Sequence, residues 1–512
     1  MNRGKKVFSV LSLCFIIFFV AVQNIHAEDI YISKSGADTN PGTLDQPFKT
    51  ISKGLSISKP GDTIFVRTGT YDEHITFPAA GTASNRITLK AYNSESVTVT
   101  QTGKVMEIGQ PYITVEDIVF DGNWGEGDTV KLLSNANYCI LRGLEVKNSM
   151  RDTVDLDATE GVLIENCVIH DAILYKNGDR DDAHGIVTIG SKNLTIRNTE
   201  IYYVSGDTLQ FQYGGWDNIT IENCNLWNGP LPSARGGAPK GVSPGENAVD
   251  TKYYTSDGRG KLFIKNTIVH GWRGDYLANA AAFNLKHNVQ VDIDGITAYD
   301  NEIAFRLRGG TGDSEKGGAR VTLKNAVIYN SERAIRYEDG IENLHIYNST
   351  FGRELTELFE NEGHGSGFEV KNCLFLSASK PDEASHDSNM AVDSAAFVSS
   401  SSDDYHLATG SPAIDKGVTI SEVATDRDGL SRPAGDAYDI GAYESEGGST
   451  PSDSQCDAET HGNITLCTVI NTLRICSGLT VDKKYLLDVN NDGKINMEDA
   501  IYALQALVDL RN

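Results

Sequence analysis

Residues 164–169 read Ile-Glu-Asn-Cys-Val-Ile, and variants of this stretch recur through the middle of the chain. Each copy is a short apolar strand, a bend residue and a second apolar strand, as in Ile196 to Ile201. The bends mostly fall 23 to 32 residues apart. A repeat of this length predicts an all-β solenoid whose coils stack as parallel strands on three faces.

The bend is an Asn in seven copies, and these residues are expected to stack as a ladder whose side-chain amides bond from coil to coil. They are Asn166, Asn198, Asn223, Asn266, Asn325, Asn348 and Asn372. Four cysteines inside the repeats are expected to be buried apolar fillers, namely Cys139, Cys167, Cys224 and Cys373. Three more lie near the C-terminus, at positions 456, 467 and 476, where an odd number leaves one unpaired.

The chain has 512 residues and a formal net charge of -25, which argues against nucleic acid as a partner. Residues 1–27 combine a basic start with an apolar run from Val7 to Val22 and are expected to be a cleaved signal peptide. No later segment is apolar enough to cross a bilayer. The sequence thus predicts a secreted protein without a transmembrane segment after cleavage.

The N-terminal stretch carries turn signals and strands in a specific order. Asp29 to Ile32 is followed by a helical piece around 50–58, and then by Pro60-Gly61-Asp62 and a strand from Thr63 to Val66. This order resembles the N-terminal cap of secreted right-handed parallel β-helix proteins, including the family-9-like pectate lyases. The resemblance implies a cap over 28–86 and β-helix coils over 87–377.

Two segments follow the predicted coils. Gly410 to Gly417 and Asp439 to Glu444 resemble a C-terminal closing segment of extracellular β-helix proteins, which implies an end cap over 378–446. A Gly/Ser/Pro-rich linker covers 447–455, and residues 456–512 form a further unit.

That last unit contains a stretch with calcium-loop spacing. Its oxygen donors alternate around the turn at Gly493, as a hard cation requires, and they are Asp488, Asn490, Asp492, the carbonyl of Lys494, and Asp499. The loop resembles a dockerin calcium repeat, which implies a small α-helical module and a cohesin-like or cell-surface partner. Only one full loop is present, so an anchoring or targeting role is as far as the resemblance reaches.

Polar side chains line the predicted strands in two outward columns. Alternation along Glu246 to Lys252 places Asp250 and Lys252 on one face. Stacking similar strands gives a first column of Asp155, Gln210, Asp250, Asn284, Arg306 and Arg336, and a second column of Asp157, Gln212, Lys252, Lys286, Arg308 and Glu338. A saccharide is expected to lie along these columns. Extra loops at 175–182 and 231–245 fall beside them.

The columns contain what β-elimination from a uronate requires. Lys252 is the expected base, provided that Lys286 and Arg308 on the next rungs depress its pKa. Arg306 could neutralise the substrate carboxylate or donate to the leaving oxygen, and the calcium ligands would be Asp207, Glu246 and Asp250. Further expected substrate contacts are Gln212, Tyr254, Trp272 and His184.

This arrangement resembles the calcium- and lysine-dependent lyases of the same fold. The resemblance implies an acidic polysaccharide of the pectate, alginate or dermatan type as substrate. Galacturonan hydrolysis is disfavoured, because two of the motifs that it needs on this fold are missing. Two alternatives stay open: a non-catalytic carbohydrate-binding surface protein that uses the same groove, and a uronan C5-epimerase.

Overall fold

The computed structural model describes residues 27–253, 258–274, 277–309, 317–338, 340–362 and 367–445, with scattered positions in the C-terminal unit. The expected signal peptide 1–27, except Ala27, and most of the expected dockerin-like module lie outside these residues. Tyr254 and the three C-terminal cysteines do so as well. Within the described part of the chain, no helix is long and apolar enough to span a membrane.

Parallel strands dominate the structure, as the repeats predicted. One sheet, called sheet 1, contains thirteen strands, each paired in parallel with the strand one coil away. In stacking order they are Asp29–Ile32, Thr63–Val66, Ile87–Ala91, Ile113–Glu116, Ile140–Arg142, Leu163–Glu165, Thr195–Arg197, Ile219–Glu222, Gly260–Lys265, Val289–Asp294, Arg320–Lys324, Asn343–Tyr347 and Phe368–Lys371.

A second set of parallel strands, called sheet 2, begins directly after each bend. Its members are Gly69–Asp72, Val97–Thr100, Val119–Gly125, Glu145–Ser149, Val168–Ala172, Glu200–Val204, Asn225–Trp227, Ile268–His270, the first halves of Thr297–Leu307 and Val327–Glu338, and then Thr350–Phe351, Leu374–Leu376 and Met390–Val392.

The third set, sheet 3, carries the predicted columns. Its members are Ile75–Thr76, Met106–Ile108, Val130–Leu132, Val154–Asp157, Ile186–Ile189, Leu209–Gln212, Asn247–Lys252, Ala281–Leu285, the second halves of Thr297–Leu307 and Val327–Glu338, and Leu355–Glu362. The two long strands continue from sheet 2 into sheet 3 without a break, so the two sets form one hydrogen-bonded sheet of 22 strands.

The Asn ladder forms, but mainly for a different reason from the one expected. All seven ladder residues have positive φ, between 45° and 55°, a left-handed conformation that Asn tolerates better than most residues. Gly143 and Gly295 take the same conformation on intervening coils, with φ of 62° and 78°. A hydrogen bond between the side chains of two ladder members runs from Asn372 to Asn348 at 3.3 Å. The side chain of Asn325 instead donates to Asp294. The bend therefore selects Asn first for its backbone.

The interior of the solenoid is apolar, and its first coil is covered by a helix. This helix, Ile51–Ile57, begins at Thr50, whose hydroxyl accepts a bond from the Lys53 amide. It buries Ile51 and Leu55, and Gly54 lies so close to the Ile32 side chain that a Cβ would approach it to 2.7 Å. The four repeat cysteines are free thiols in this interior, as expected, and burial raises their pKa values.

The remaining elements are short. Two antiparallel hairpins lie outside the coils, Leu174–Lys176 with Asp179–Asp181 and Phe397–Ser399 with Asp404–Leu407. The 3-10 turns are Tyr92–Ser94, Asp382–Ala384, Ser394–Ala396 and Ser400–Ser402.

A buried ion pair lies within the segment that follows the coils. Arg432 Nη1 lies 2.5 Å from Glu444 Oε1, and both side chains are fully buried. Arg432 also donates to Asn325 Oδ1, a ladder residue, at 3.2 Å. This contact ties the segment near Arg432 to the bend of an inner coil.

Candidate functional site

The register of sheet 3 confirms the order of the first column. Gln210 pairs with Asp250, Asp250 with Asn284, Asn284 with Arg306, and Arg306 with Arg336. One rung was missed. The strand Ile186–Ile189 lies between the first two predicted strands and places Val187 between Asp155 and Gln210.

The second column has the same gap. Ile189 lies between Asp157 and Gln212, and Gln212 pairs with Lys252 as expected. An apolar rung therefore separates an acidic end of the groove from its amide and basic rungs.

Asp250 lies beneath two ammonium groups rather than on an open face. Its side chain is 2% exposed, with Lys286 Nζ at 2.9 Å and Lys252 Nζ at 3.3 Å. Asn284 also donates to it, at 2.9 Å. Lys252 donates in addition to Gln210 Oε1 at 2.6 Å, which fixes the ammonium over the first column.

The sequence predicted that Lys286 and Arg308 would depress the pKa of Lys252, and these contacts contradict that condition. Burial alone would lower its pKa, but the neighbouring carboxylates, Asp250 first and Asp207 next, outweigh burial and raise it. Lys252 is therefore held as an ammonium in the ligand-free protein, and the positive neighbours expected to depress its pKa do not prevail.

The three calcium ligands predicted in the groove, Asp207, Glu246 and Asp250, do not form one compact group of oxygens. Asp207 is buried and accepts bonds from the Asn247 amide and side chain at 3.0 and 2.8 Å. Burial and the charge of Asp250 raise the pKa of Asp207 to about 8. Glu246 lies at the groove margin, 3.6 Å from Arg180, while Asp250 is occupied by the two lysines. The expected site at these three residues is not supported by this geometry.

The predicted arginines lie together in the groove, and carboxylates of neighbouring strands partly neutralise their charge. Glu338 Oε1 lies 2.8 Å from Arg306 Nε, and its Oε2 lies 2.8 Å from Arg308 Nε. Arg336 lies 3.3 Å from Glu338 and 3.2 Å from Glu360. Together with Lys252 and Lys286, five cations lie in this part of the groove, and each of them is paired with a carboxylate of Asp250, Glu338 or Glu360.

Sequence reasoning missed a group of three carboxylates at the other end of the groove. One oxygen each from Asp128, Asp152 and Asp155 lies within 4.8 Å of the others, and all three residues are buried. Among the described residues this is the one such group of acidic, His or Cys ligands. The signal was a repeated tripeptide at the start of sheet 3 strands, Asp-Thr-Val at 128 and 152 on successive strands and Asp-Thr-Leu at 207 two strands later.

The charges of this triad are incompletely compensated. Burial and the repulsion of Asp155 and Asp152 raise the pKa of Asp128 to about 7. Lys131 makes ion pairs with Asp155 and, at 3.0 Å, with Asp157. Arg151 Nε forms an ion pair with Asp128 Oδ1 at 2.9 Å, but the angle is not that of a hydrogen bond. Asp128 Oδ1 and Asp155 Oδ1 are both buried without a hydrogen-bond partner.

These oxygens fit a hard cation. Two of the three carboxylates have an oxygen without a hydrogen-bond partner, and carboxylate oxygens gathered within a few ångströms are the donors that calcium prefers. Asp128, Asp152 and Asp155 are therefore the residues that would hold a calcium ion.

A buried polar chain joins the triad to Lys252. His184 Nδ1 lies 2.8 Å from Asp152 Oδ1, and its Nε2 contacts the Gln210 side-chain nitrogen. Gln210 then accepts from Lys252. The chain Asp152–His184–Gln210–Lys252 thus crosses the apolar rung below the groove surface.

Two predicted substrate contacts are wrong because their side chains are buried. His184 is 7% exposed and both ring nitrogens are engaged in the polar chain. Trp272 is 1% exposed and its indole N–H donates to the Leu226 carbonyl at 3.3 Å. Gln212 is half-buried in the second column and donates to Gln210.

Part of the predicted tail loop belongs to the described residues. The Asp499 carboxylate accepts from the Val489 and Asn496 amides, both at 2.9 Å, and Lys494 is exposed. The predicted ligands Asp488, Asn490 and Asp492 lie outside the described residues, so the calcium loop stays a prediction.

Comparisons with known proteins agree with this architecture. Residues 30–263 match the family profile described as Pel9A-like, right-handed beta helix region. Residues 172–375 match a general right-handed beta helix profile. The right-handed parallel β-helix that the sequence implied is thereby confirmed.

Curated relatives match over short stretches. Pectate lyase PEL9 of Emericella nidulans is 36% identical over 85 residues, which are 16% of this chain and 21% of that protein. The uncharacterized protein YwoF of Bacillus subtilis is 32% identical over 89 residues, 17% of this chain and 19% of that protein. The chain thus spans about one-fifth of the length of these relatives.

A solved structure with a TM-score above 0.5 shares the fold, and a second one gives a lower score. A rhamnogalacturonan lyase superposes with a TM-score of 0.51 at 15% identity, covering 73% of this chain and 91% of that one. Pectate lyase Pel9A gives a TM-score of 0.48 at 16% identity, covering 82% and 97%.

Proposed function

We propose that this protein is a secreted, calcium-dependent polysaccharide lyase that cleaves a uronic-acid-containing polysaccharide by β-elimination. The observation that carries the proposal is the order of charge along the outward face of sheet 3. A carboxylate triad able to hold a cation lies at one end, and a cluster of lysines and arginines lies at the other. An anionic chain can be held at both ends of such a groove.

The Pel9A-like profile and the match to a pectate lyase support the reaction class. They make pectate the first polymer to test, with alginate and dermatan-type chains as the other members of the substrate class. Export rests on the signal-like residues 1–27 and belongs to the proposal, as does an anchoring role for the C-terminal unit.

In the proposed reaction Lys252 removes the proton from C5 of the uronate. The C5–H electrons form the C4–C5 double bond, the C4–O4 bond breaks, and the leaving oxygen takes a proton. Lys286 faces the same position and Arg306 and Arg308 follow on the next rung, where they oppose the negative charge that develops on the carboxylate. Because the pKa of Lys252 is raised, the unprotonated amine becomes abundant only at alkaline pH.

Asp128, Asp152 and Asp155 would hold calcium. When bound, the ion neutralises a substrate carboxylate and so anchors the chain. Asp155 and Asp250 are three rungs apart, about 14 Å at the usual strand spacing. The triad and Lys252 therefore act on different sugars of one chain.

The direct test is ultraviolet absorbance of the unsaturated uronate formed from pectate, alginate or dermatan chains. The wild-type protein should raise it with calcium, and chelator should abolish the rise. Lys252→Ala and Asp155→Asn should lose the activity. Lys261→Ala, an exposed lysine on sheet 1, is the matched control and should keep it. Full activity in Lys252→Ala would remove Lys252 from the reaction.

A second candidate function is supported by one observation. Lys252 is held as an ammonium and the rung beside the triad is Val187, so the groove could bind a uronan without cleaving it. A pure binding protein would retain affinity for the polymer with no rise in absorbance and no change in uronate composition. A C5-epimerase would change that composition without shortening the chains.

A further inference from the structure

One aromatic side chain beside the groove is exposed where its neighbours are buried. Tyr213 is 46% exposed, whereas Trp216, Tyr253 and Trp272 are between 0% and 5% exposed. Ile189, one rung away, is 39% exposed. Two large side chains are thus exposed on neighbouring rungs at one edge of the groove, and exposed apolar patches mark binding sites.

The two side chains border a flat strip of backbone. Ile189 belongs to the second column between Asp157 and Gln212, and Tyr213 follows Gln212 directly, with its amide donating to the Lys252 carbonyl at 2.9 Å. Gly190 and Gly214 face each other across the coils, so closely that a Cβ on either would lie 3.0 Å from the other's backbone.

A Cβ on Gly214 would also lie 3.4 Å from Ile189 Cγ2, so the Ile189 side chain rests against this glycine. We call the surface of Ile189, Gly190, Tyr213 and Gly214 the shelf.

The backbone of the shelf is strained at its aromatic member. Tyr213 has a φ of 28°, and Gly214 and Gly215 follow with φ of 71° each. A positive φ is unfavourable for a tyrosine, but Tyr112, Tyr138 and Tyr203 also adopt one, so the exposure of Tyr213 rather than its backbone distinguishes it.

A larger set of aromatic rings elsewhere does not offer the same surface. His170, Tyr202, Trp227, His270, Tyr299 and Tyr329 lie in register on sheet 2, with successive centroids 4.5 to 5.9 Å apart and nearly parallel planes. Each interior ring covers the faces of its neighbours. Their faces are therefore not available to a sugar, and this column serves packing between coils.

We propose that the shelf is a sugar-binding subsite that stacks the apolar face of a pyranose ring of the uronan. The shelf lies between the triad and Lys252, at the apolar rung where the groove offers no charge to a carboxylate. Stacking there would hold the intervening sugar while charges hold its neighbours. This inference deepens the proposed function and rests on it for the identity of the polymer.

The test measures binding separately from cleavage. The affinity of the full-length protein for polygalacturonate and for alginate is measured by calorimetry in calcium, with Tyr213→Gly and Tyr213→Phe as variants. Glycine removes the ring and accepts the positive φ, so it is the variant best suited to the local backbone. Tyr138→Ala is the control, because Tyr138 is 43% exposed but stacks on Tyr112 beside sheet 1.

Tyr213→Gly should weaken binding about tenfold, Tyr213→Phe less than about twofold, and Tyr138→Ala not at all. Equal affinity of Tyr213→Gly and wild type would overturn the shelf, as would a wild-type protein that binds neither polymer. If wild type binds, Tyr213→Gly binds weakly and no absorbance develops, the shelf stands and the proposed lyase activity fails. A midpoint of thermal unfolding equal to that of the wild type shows that each variant is folded.

Discussion

Calcium binding at the triad should weaken as the pH falls from about 8 to about 6. Asp128 has a pKa of about 7, because it is buried beside Asp155 and Asp152. A carboxylate must lose its proton to bind a metal, so calcium and the Asp128 proton compete for one site. The perturbation is therefore pH alone, with the chain unchanged.

The magnitude follows from that pKa. At about one unit below it, roughly nine-tenths of the sites carry the proton, and at one unit above it roughly one-tenth do. The apparent dissociation constant should thus rise about tenfold between pH 8 and pH 6, with release of about one proton per calcium at the lower pH.

The raised pKa has a second consequence with a defined sign. Folded Asp128 holds its proton more tightly than the unfolded chain does. The metal-free protein should therefore lose stability as the pH rises toward and through about 7, and calcium should restore it.

Isothermal titration calorimetry in two buffers of different ionisation enthalpy measures both the affinity and the released protons. Asp128→Asn should abolish the pH dependence and the proton release, and Asp300→Asn, an acid outside the triad, should change neither. All titrations are made in the Asp492→Asn background, which removes the calcium binding expected at the tail loop. Equal wild-type affinity at the two pH values, without proton release, would refute the assignment of calcium to these carboxylates.

Three further outcomes are expected. Asp250→Asn removes the carboxylate that contributes most to the raised pKa of Lys252, so the alkaline rise of the lyase rate should begin at lower pH; an unchanged pH–rate profile would count against Lys252 as the base. Asn223→Ala should lower the free energy of unfolding by about 1–2 kcal/mol, because φ is 53°, and Asn223→Gly by less than half as much, measured with urea. Arg432→Met should cost about 3–5 kcal/mol, because the charge of Glu444 stays buried without a counter-charge while its bonds from the Ala434 and Asp439 amides remain, and Arg432→Met with Glu444→Leu should recover part of that loss; equal loss in both would contradict the reasoning.

The solenoid could be predicted because its signal is periodic and local. Each bend requires a left-handed backbone, so Asn or Gly returns once per coil whatever the loops between them do. The helix before the first coil was predictable as well, since an apolar interior needs a cover. Val187 was missed because the inserted hairpin Leu174–Asp181 lengthens its coil and hides the register.

The chemistry of the site depended on contacts that the sequence does not display. The pKa of Lys252 depends on which carboxylates lie beneath it, and Asp207 reaches it from the preceding coil. Asp128 and Asp152 are separated by one coil and meet only through stacking, although their shared Asp-Thr-Val tripeptide could have revealed them. Trp272 resembled a sugar platform in sequence, yet its exposure is fixed by the fold.

The most direct test of the central claim is mass spectrometry of oligosaccharides released from polygalacturonate and alginate. β-Elimination breaks the C4–O4 bond without adding water. Products should therefore be one water lighter than hydrolysis products and carry an unsaturated non-reducing end. Products that have the mass of added water and a saturated end, or intact polymer after prolonged incubation with calcium, would contradict the assignment of this groove to a lyase.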